Sequence, residues 1–567
     1  MGLKPTYSHW HWGKRHKLHT NTHLETELKF HLPKSCSASF EKALHRGATQ
    51  TLVLKALYFD TAGRHLARQK TALRLRLENG QWIQTLKIAS SETLLTRVEL
   101  NHPRPSPDLD LSVYAGTTAE SLIAHLSEPL AVGYETQVLR LMRLIRTPVG
   151  VVEIAYDCGF VRAGALDLPI CEVELELKQG EIAALFSLAS QWQRDHGLIM
   201  DARSKSERGD LLARLNHNLQ EIDIQSTEDP SHLKALEVDQ FWAPRNAMPI
   251  ELVADMSAGQ GLRCVMAECL DQIIRNSAVL AHIDTLGIHA LDTTEHVHQL
   301  RVGIRRMRTA WSLFKDVCEL PTQVQRDGIK KYFALLGGSR DNNVLLNDLL
   351  PLLLEAGQPA LTLPEQVVED HSSSVAKDTL FQSWLVQMSA FVHSPAPSSG
   401  MSIQCVHPLR LTKIILPKLR QWHRKILKEG LHFAELGTEA RHELRKRVKK
   451  LRYALQFTDA LLAHKQLKPY LKDLAKVQNI LGEMNDLTNA QEKFTVLRDS
   501  QPSAWFACGW ITYRLDQLQT DAENAFRKLS SNPSGLKSVL VAQERKYQQP
   551  DRRRHERHER PIGDGST

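Results

Sequence analysis

On several stretches of this chain, ionisable side chains fall on every second residue and so share a face. Glu25, Glu27 and Lys29 do so within LETELKF, and Glu172, Glu174 and Glu176 do so later, with Val173, Leu175 and Leu177 pointing oppositely. Arg74 and Arg76 oppose Leu73, Leu75 and Leu77, and Arg97 and Glu99 form a further pair. On a single half-buried strand such charges are ordinary wet surface. Several strands that each set an apolar face against the same few charged types fit a closed barrel with the charged face inside. Carboxylates gathered in one lumen repel each other unless a hard divalent cation such as Mg²⁺ or Mn²⁺ joins them. Arg and Lys beside them suit an anion with several phosphates, Arg gripping in bidentate fashion and Lys acting as a point charge. Metal and cations around a phosphate chain are the means of phosphoryl transfer to water. The phosphate loop of ordinary nucleotide hydrolases, GxxxxGK followed by Ser or Thr, does not occur in the sequence.

A second set of cations repeats. HVHQLRVGIRRMRTAW (296–311) aligns with ARHELRKRVKKLRYAL (440–455) at an offset of 144 residues. His298 meets His442, Arg301 meets Arg445, Arg305 meets Lys449, Arg306 meets Lys450 and Arg308 meets Arg452. Slipped by one, LGGSRD (336–341) aligns with LGEMND (481–486). On a helix His298, Arg301, Arg305 and Arg308 form one stripe, roughly 110° from the Leu300, Ile304, Met307, Trp311 stripe. The second copy has seven Lys or Arg among residues 441–452, with only Glu443 opposing. A charge run is usually a solvated face. Its twofold repetition favours an anion-binding surface, and two such helices facing each other would form a groove for an extended phosphate chain.

These groups need elements to position them. From about Leu24 to Lys178 the chain reads as short period-two strands: LETELKF, LVLKALYFD, TALRLRLENGQWIQTLKI, TRVEL, VGVVEIAYD and ICEVELELK. Asn79–Gly80 is a hairpin turn, and helical stretches interrupt near 35–47, 117–127 and 180–196. Residues 1–22 read as a basic mobile tail, 23–215 as the β-domain, 216–256 as a connector, 257–529 as amphipathic helices, and 530–567 as a charged, disordered tail. Pro-rich loops break the helices near 358–364 and 394–398. The expected fold is α+β: an antiparallel eight-stranded barrel, then an all-α bundle with an internal duplication.

The 567 residues, 42% hydrophobic and 24% charged, exclude fibrous and fully disordered classes. No apolar run approaches membrane-spanning length, and the basic start lacks the apolar core of a secretory signal. Eight cysteines without CxxC pairs point to a reducing cytoplasm and away from disulfides or zinc. The net charge of +8 favours an anionic partner. Nucleic acid is disfavoured, since aromatics make up only 6% and do not interleave with the basic stripes.

ETELKF resembles the ExExK signature of the CYTH, or triphosphate tunnel metalloenzyme, family. YFDT (58–61), LRLRLENGQWIQTLK (73–87), RVE (97–99), ICEVELELK (170–178) and SKSERG (204–209) follow in that family's order. The resemblance implies an eight-stranded tunnel hydrolysing triphosphate-bearing substrates with a divalent metal. It implies Glu25, Glu27, Glu172 and Glu174 as metal ligands, assisted by Glu99. Lys29, Arg74, Arg76, Lys87, Arg97, Arg140 and Lys205 would contact phosphate, with Lys29 and Lys205 as the catalytic residues. Asp157 and Glu176 also fall on inward positions. The duplicated HxxRxxxRRxR with its LGxxRD and LGxxND elements resembles the CHAD family. That implies a four-helix-bundle-like repeat binding inorganic polyphosphate, with His298, Arg301, Arg305, Arg308, His442, Arg445, Lys449 and Arg452 along its surface. The two histidines could equally hydrogen-bond within the bundle.

The tandem resembles bacterial inorganic triphosphatases, which cleave tripolyphosphate to diphosphate and phosphate. A non-catalytic polyphosphate-binding protein, and a tunnel acting on thiamine triphosphate, a nucleoside triphosphate or as an adenylate cyclase, are the alternatives. Every candidate catalytic residue lies within 1–215, so that piece is expected to hydrolyse alone.

Overall fold

A computed structural model describes residues 22–89, 95–225, 229–282, 293–362, 371–394, 411–462, 464–531 and 536. The two predicted tails, apart from Thr22, Ser530, Ser531 and Leu536, and residues 363–364 and 395–398 of the two Pro-rich loops lie outside the described residues.

Eight strands close on themselves: β1 (Thr22–His31), β2 (Gln50–Asp60), β3 (Thr71–Glu78), β4 (Gln81–Ala89), β5 (Thr96–Arg104), β6 (Ala131–Thr147), β7 (Gly150–Ala163) and β8 (Leu166–Gly180). Their order is β5-β4-β3-β2-β6-β7-β8-β1, with β1 pairing back onto β5, all antiparallel. A two-residue β9 (Ile199–Met200) adds beside β1. The β3–β4 turn is Asn79–Gly80, with φ of 50° and 80°, the left-handed pair that a tight hairpin matching strand twist requires. β6 is absent from the strands predicted by sequence, although at 17 residues it is the longest. Its arginines at 140, 143 and 146 are spaced by three, which hides the period of two.

The barrel is turned inside out relative to a water-soluble sandwich. Leu28, Phe30, Val152, Ile154, Val173 and Leu175 point outward and are buried beneath α1 (Ile182–His196). Leu73, Leu86 and Leu100 are buried beneath Leu66 and Tyr114 from the connecting segments. The alternate residues therefore face the lumen.

α2 (Lys205–Gln225) follows the barrel and runs through the expected boundary at 215. α3 (Ala258–Leu280) starts where the pattern change predicts, at a capping box. Ser257 Oγ accepts from Gln260 N at 3.2 Å, and Gln260 Oε1 accepts from Ser257 N at 2.9 Å. Beyond it lie α4 (Thr294–Phe314), α5 (Thr379–His393), α6 (Leu411–Gly430), α7 (Thr438–Phe457), α8 (His464–Leu497) and α9 (Ala504–Ser531). The duplicated helices α4 and α7 pack against each other, with Leu300, Ile304, Met307, Leu444, Val448 and Leu451 all buried. Among the described residues no helix is long and apolar enough to cross a membrane.

The two halves share one core. α1 of the barrel packs on α5, and the contact is polar as well as apolar. Gln193 Oε1 accepts from Ser383 Oγ at 2.9 Å, and Gln382 Oε1 accepts from Met200 N at 2.8 Å, all four residues being buried. The sequence-based view of a free-standing piece 1–215 therefore meets a barrel whose outer apolar face continues into the helices.

Candidate active site and basic helices

The inward faces enclose a cavity of about 370 Å³. All seven cations expected to touch phosphate, Lys29, Arg74, Arg76, Lys87, Arg97, Arg140 and Lys205, line it. Of the expected carboxylates, Glu25, Glu99 and Glu174 line it, while Glu27 and Glu172, as buried as Glu25, do not reach its surface. Strand parity fixes the face but not the depth.

Charge is arranged as interlocked pairs. Glu174 receives Lys29 Nζ at 2.5 Å, Lys205 Nζ at 2.9 Å and Arg140 Nη2 at 2.7 Å. Asp157, fully buried, accepts both forks of Arg140 at 2.7 Å and lies 2.8 Å from Lys205. Lys205 also donates to Glu172 at 2.5 Å, and Arg208 donates to that carboxylate too. Glu27 lies 2.9 Å from Lys29 and 3.7 Å from Arg97. Lys87 reaches Glu25 at 2.8 Å and Glu99 at 3.3 Å.

These surroundings set the protonation states. Burial alone would raise the Glu99 carboxyl, but Lys87, Arg74 and Arg76 outweigh it and bring it down to about 2. Glu174 is held well below the usual range because Lys205, Lys29 and Arg140 overcome its burial. Burial depresses Lys205, yet Asp157, Glu172 and Glu174 raise it above an ordinary lysine, and Glu174, Glu27 and Glu172 do the same for Lys29. Arg76 is the exception. Burial and the neighbouring Arg74 and Arg140 push it down to about 10, with Glu78 opposing. Arg76 Nη2 donates to Glu78 Oε2 at 2.6 Å, yet burial and the two neighbouring arginines still disfavour its charge, and an arriving anion would relieve that.

Among the described residues, no three carboxylate, imidazole or thiol groups converge on one metal-sized point. The carboxylates are taken up by lysines and arginines. The donor set nevertheless suits a hard cation, because it is all oxygen and Glu25 and Glu99 both reach one small cationic group, the Lys87 ammonium.

Sequence reasoning missed Tyr58, Glu78, Glu153 and Lys178, which also line the cavity. Glu78 continues the Arg74, Arg76 alternation, and Lys178 continues that of Glu172 to Glu176. Glu153 stands opposite Glu176 across β7 and β8, which only the register reveals. Arg208 lies within SKSERG, and its reach to Glu172 depends on how α2 docks.

On the basic helices the stripe is not free of partners. Arg301, Arg305 and Arg308 fan around the Phe333 ring, at 4.7, 5.3 and 5.8 Å from its centroid. His442 Nδ1 lies 2.8 Å from Asn485 Oδ1, and Arg445 lies 3.7 Å from Asp486. The second copy's basic motif and its LGEMND element are thus parts of one contact, which fits the bundle-internal reading of His442. His298, Lys449 and Arg452 are half-buried along α4 and α7. Arg306, beside the stripe, turns inward: it is 1% exposed, donates to Gln272 at 2.7 Å, pairs with Glu268 and lies 5.4 Å from the Phe457 ring centroid.

Comparison with known proteins finds two families in this chain. Residues 23–209 match the CYTH domain family and residues 264–495 the CHAD domain family. An inorganic triphosphatase of Haemophilus influenzae is 29% identical over 167 residues, 29% of this chain and 47% of that protein. The chain thus spans about half the length of that relative. The CHAD domain of the plant Ricinus communis is 25% identical, with a TM-score of 0.39, covering 53% of this chain and 96% of that one. A Hippeastrum protein described by its dominant triphosphatase activity is 18% identical, with a TM-score of 0.25, covering 33% of this chain and 94% of that one.

Proposed function

From the premise that this chain is a CYTH domain followed by a CHAD domain, we propose that it is a metal-dependent inorganic triphosphatase with a polyphosphate-binding helical domain. The tunnel would hydrolyse tripolyphosphate to diphosphate and phosphate. The observation that carries this reading is a single cavity of about 370 Å³ ringed by cations and carboxylates together. Glu25, Glu99 and Glu174 at its surface order the cations and also supply oxygen donors that a hard cation could take up.

Those three carboxylates are the groups that would hold the cation, with Glu27 and Glu172 supporting from the wall. A hard divalent ion there supplies charge neutralisation on the phosphates and polarises the attacking water. Arg74, Arg76, Lys87, Arg97 and Arg140 bind and orient the phosphate chain, the guanidiniums in bidentate fashion. Lys29 and Lys205 remain protonated at neutral pH because their neighbours raise them, so each donates hydrogen bonds from Nζ and neither acts as a base. They stabilise charge on the phosphoryl group in transfer.

Phosphate release from tripolyphosphate, ATP and thiamine triphosphate, each with Mg²⁺ or Mn²⁺, tests the assignment. Tripolyphosphate with metal is expected to give the highest kcat/KM, and none without metal. A higher value for ATP or thiamine triphosphate reassigns the substrate, and no release from any of them leaves a binding protein.

For the helical domain, retention of long-chain polyphosphate is expected to fall as salt rises, by counterion release like that of nucleic acids. Arg305→Ala and Lys449→Ala, aligned by the duplication, should each weaken retention, and the double variant should weaken it further. Unchanged retention in the double variant would make the stripes solvated surface.

A further inference from the structure

Lys205 opens α2, and its amine sits among Asp157, Glu172 and Glu174. It is the one phosphate-facing cation carried by a helix instead of a strand, so its place depends on how that helix end is held. Successive residues turn by ~100°, so Lys205 enters the lumen and Arg208 reaches Glu172 in its wall, while Glu207 faces away. The outward side meets the helical domain. Arg275 of α3 donates to both Glu207 oxygens, Nη2 reaching Oε2 at 3.1 Å. Arg275 Nε is fixed by Asp271 at 2.8 Å, and Asp271 is fixed in turn by Arg245 Nη2 at 2.8 Å. The Arg275 and Glu207 side chains are 22% and 37% exposed, so solvent screens the pair only in part, and Asp271 adds a second anchor on the arginine. Glu207 N also donates to Ser204 Oγ at 3.1 Å, so the clamped residue belongs to the turn that starts the helix.

We infer that Arg275 is a positioning residue for the tunnel: through Glu207 it orients the first turn of α2 and sets Lys205 against the bound phosphates. The inference rests on the tunnel reading above. It makes the helical domain a working part of the site in the barrel, independently of any ligand on the basic helices.

The test uses the full chain with Arg275→Ala, Glu207→Ala and Arg275→Lys. Two quantities are read: the rate at which acetic anhydride labels Lys205 and Lys29 without substrate, by mass spectrometry, and kcat and KM for tripolyphosphate with Mg²⁺. In both alanine variants Lys205 should label about three- to tenfold faster and KM should rise by a similar factor, the size of a coupling between contacting groups. Lys29, held by β1, should keep its wild-type rate, and Arg275→Lys, which keeps the charge but cannot reach both Glu207 oxygens and Asp271 at once, should fall between wild type and the alanine variants on both readouts. Unchanged Lys205 labelling and KM in both alanine variants overturns the inference. So does an equal rise at Lys29 and Lys205, which signals general loosening. If the wild-type chain hydrolyses no triphosphate, the tunnel reading fails, while the labelling still decides whether Arg275 holds Lys205.

Discussion

Arg76→Ala is expected to lower kcat/KM for tripolyphosphate by about a hundredfold or more, the scale on which one preorganised charge-stabilising group acts. Arg76 lines the cavity, and Arg74 and Arg140 crowd it so that its charge is under-compensated before an anion arrives. Binding a phosphate chain removes that crowding, so the side chain contributes more to the complex than to the free protein. Stability should change little, because its loss also removes repulsion. The control is Lys55→Ala. Lys55 adjoins Ala56, which stands opposite Arg76 in the β2–β3 register, and its own side chain is half-exposed on the outer face. It should retain activity within about twofold, as surface substitutions away from special features usually do in stability terms. Equal losses in the two variants would mean that the inner and outer faces of β2 and β3 do not differ in function.

Asp157→Asn is expected to have the largest effect on stability, about 3–5 kcal/mol, the cost of breaking a buried pair and leaving charge uncompensated. Asp157 is fully buried and holds Arg140 and Lys205, so the amide leaves two cations short of a counter-charge. Burial raises this carboxyl, but Arg140 and Lys205 outweigh it and hold it below the ordinary aspartate value. A carboxylate held low in the folded state contributes stability above its unfolded pKa of about 3.9, and that contribution is lost as pH falls toward the folded value. The gap between wild type and variant should therefore be widest near neutrality and narrow below about pH 4. Thermal melts of both chains across that range measure it. Equal melting temperatures at pH 7 would show that Glu172 and Glu174 alone balance Arg140 and Lys205.

The alternation of Glu25, Glu27 and Lys29, or of Arg74 and Arg76, is a local property, and it marked the lumen face directly in the sequence. How deep a residue sits in that face is not local. Glu27 and Glu172 look identical to Glu25 and Glu174 in sequence, yet they stop short of the cavity surface, Glu27 paired with Lys29 and Arg97 and Glu172 with Lys205 and Arg208. The same distinction separates Arg305 from Arg306. Periodicity puts both about 130° from the centre of the apolar stripe, on opposite sides, and only Glu268 and Gln272, from α3, turn Arg306 inward. The aromatic partner was hidden for a similar reason. Phe333 does not interleave with the basic stripe in sequence, but it lies beneath three of its arginines. The domain contact was the least legible feature. Gln193, Gln382 and Ser383 are buried, and their hydrogen-bond partners lie nearly two hundred residues away in sequence.

That contact bears on how such a chain can change over generations. A helical half transplanted from another protein would bring its own residues to the positions of Gln382 and Ser383. The recipient barrel would then present a Gln193 amide and a Met200 N–H to a surface that does not answer them, and each buried polar group left unmatched costs about 1–3 kcal/mol. The two halves are therefore not interchangeable cassettes. Substitutions on α1 and α5 are expected to be tolerated in matched pairs, so that the history of either half is written partly in the other.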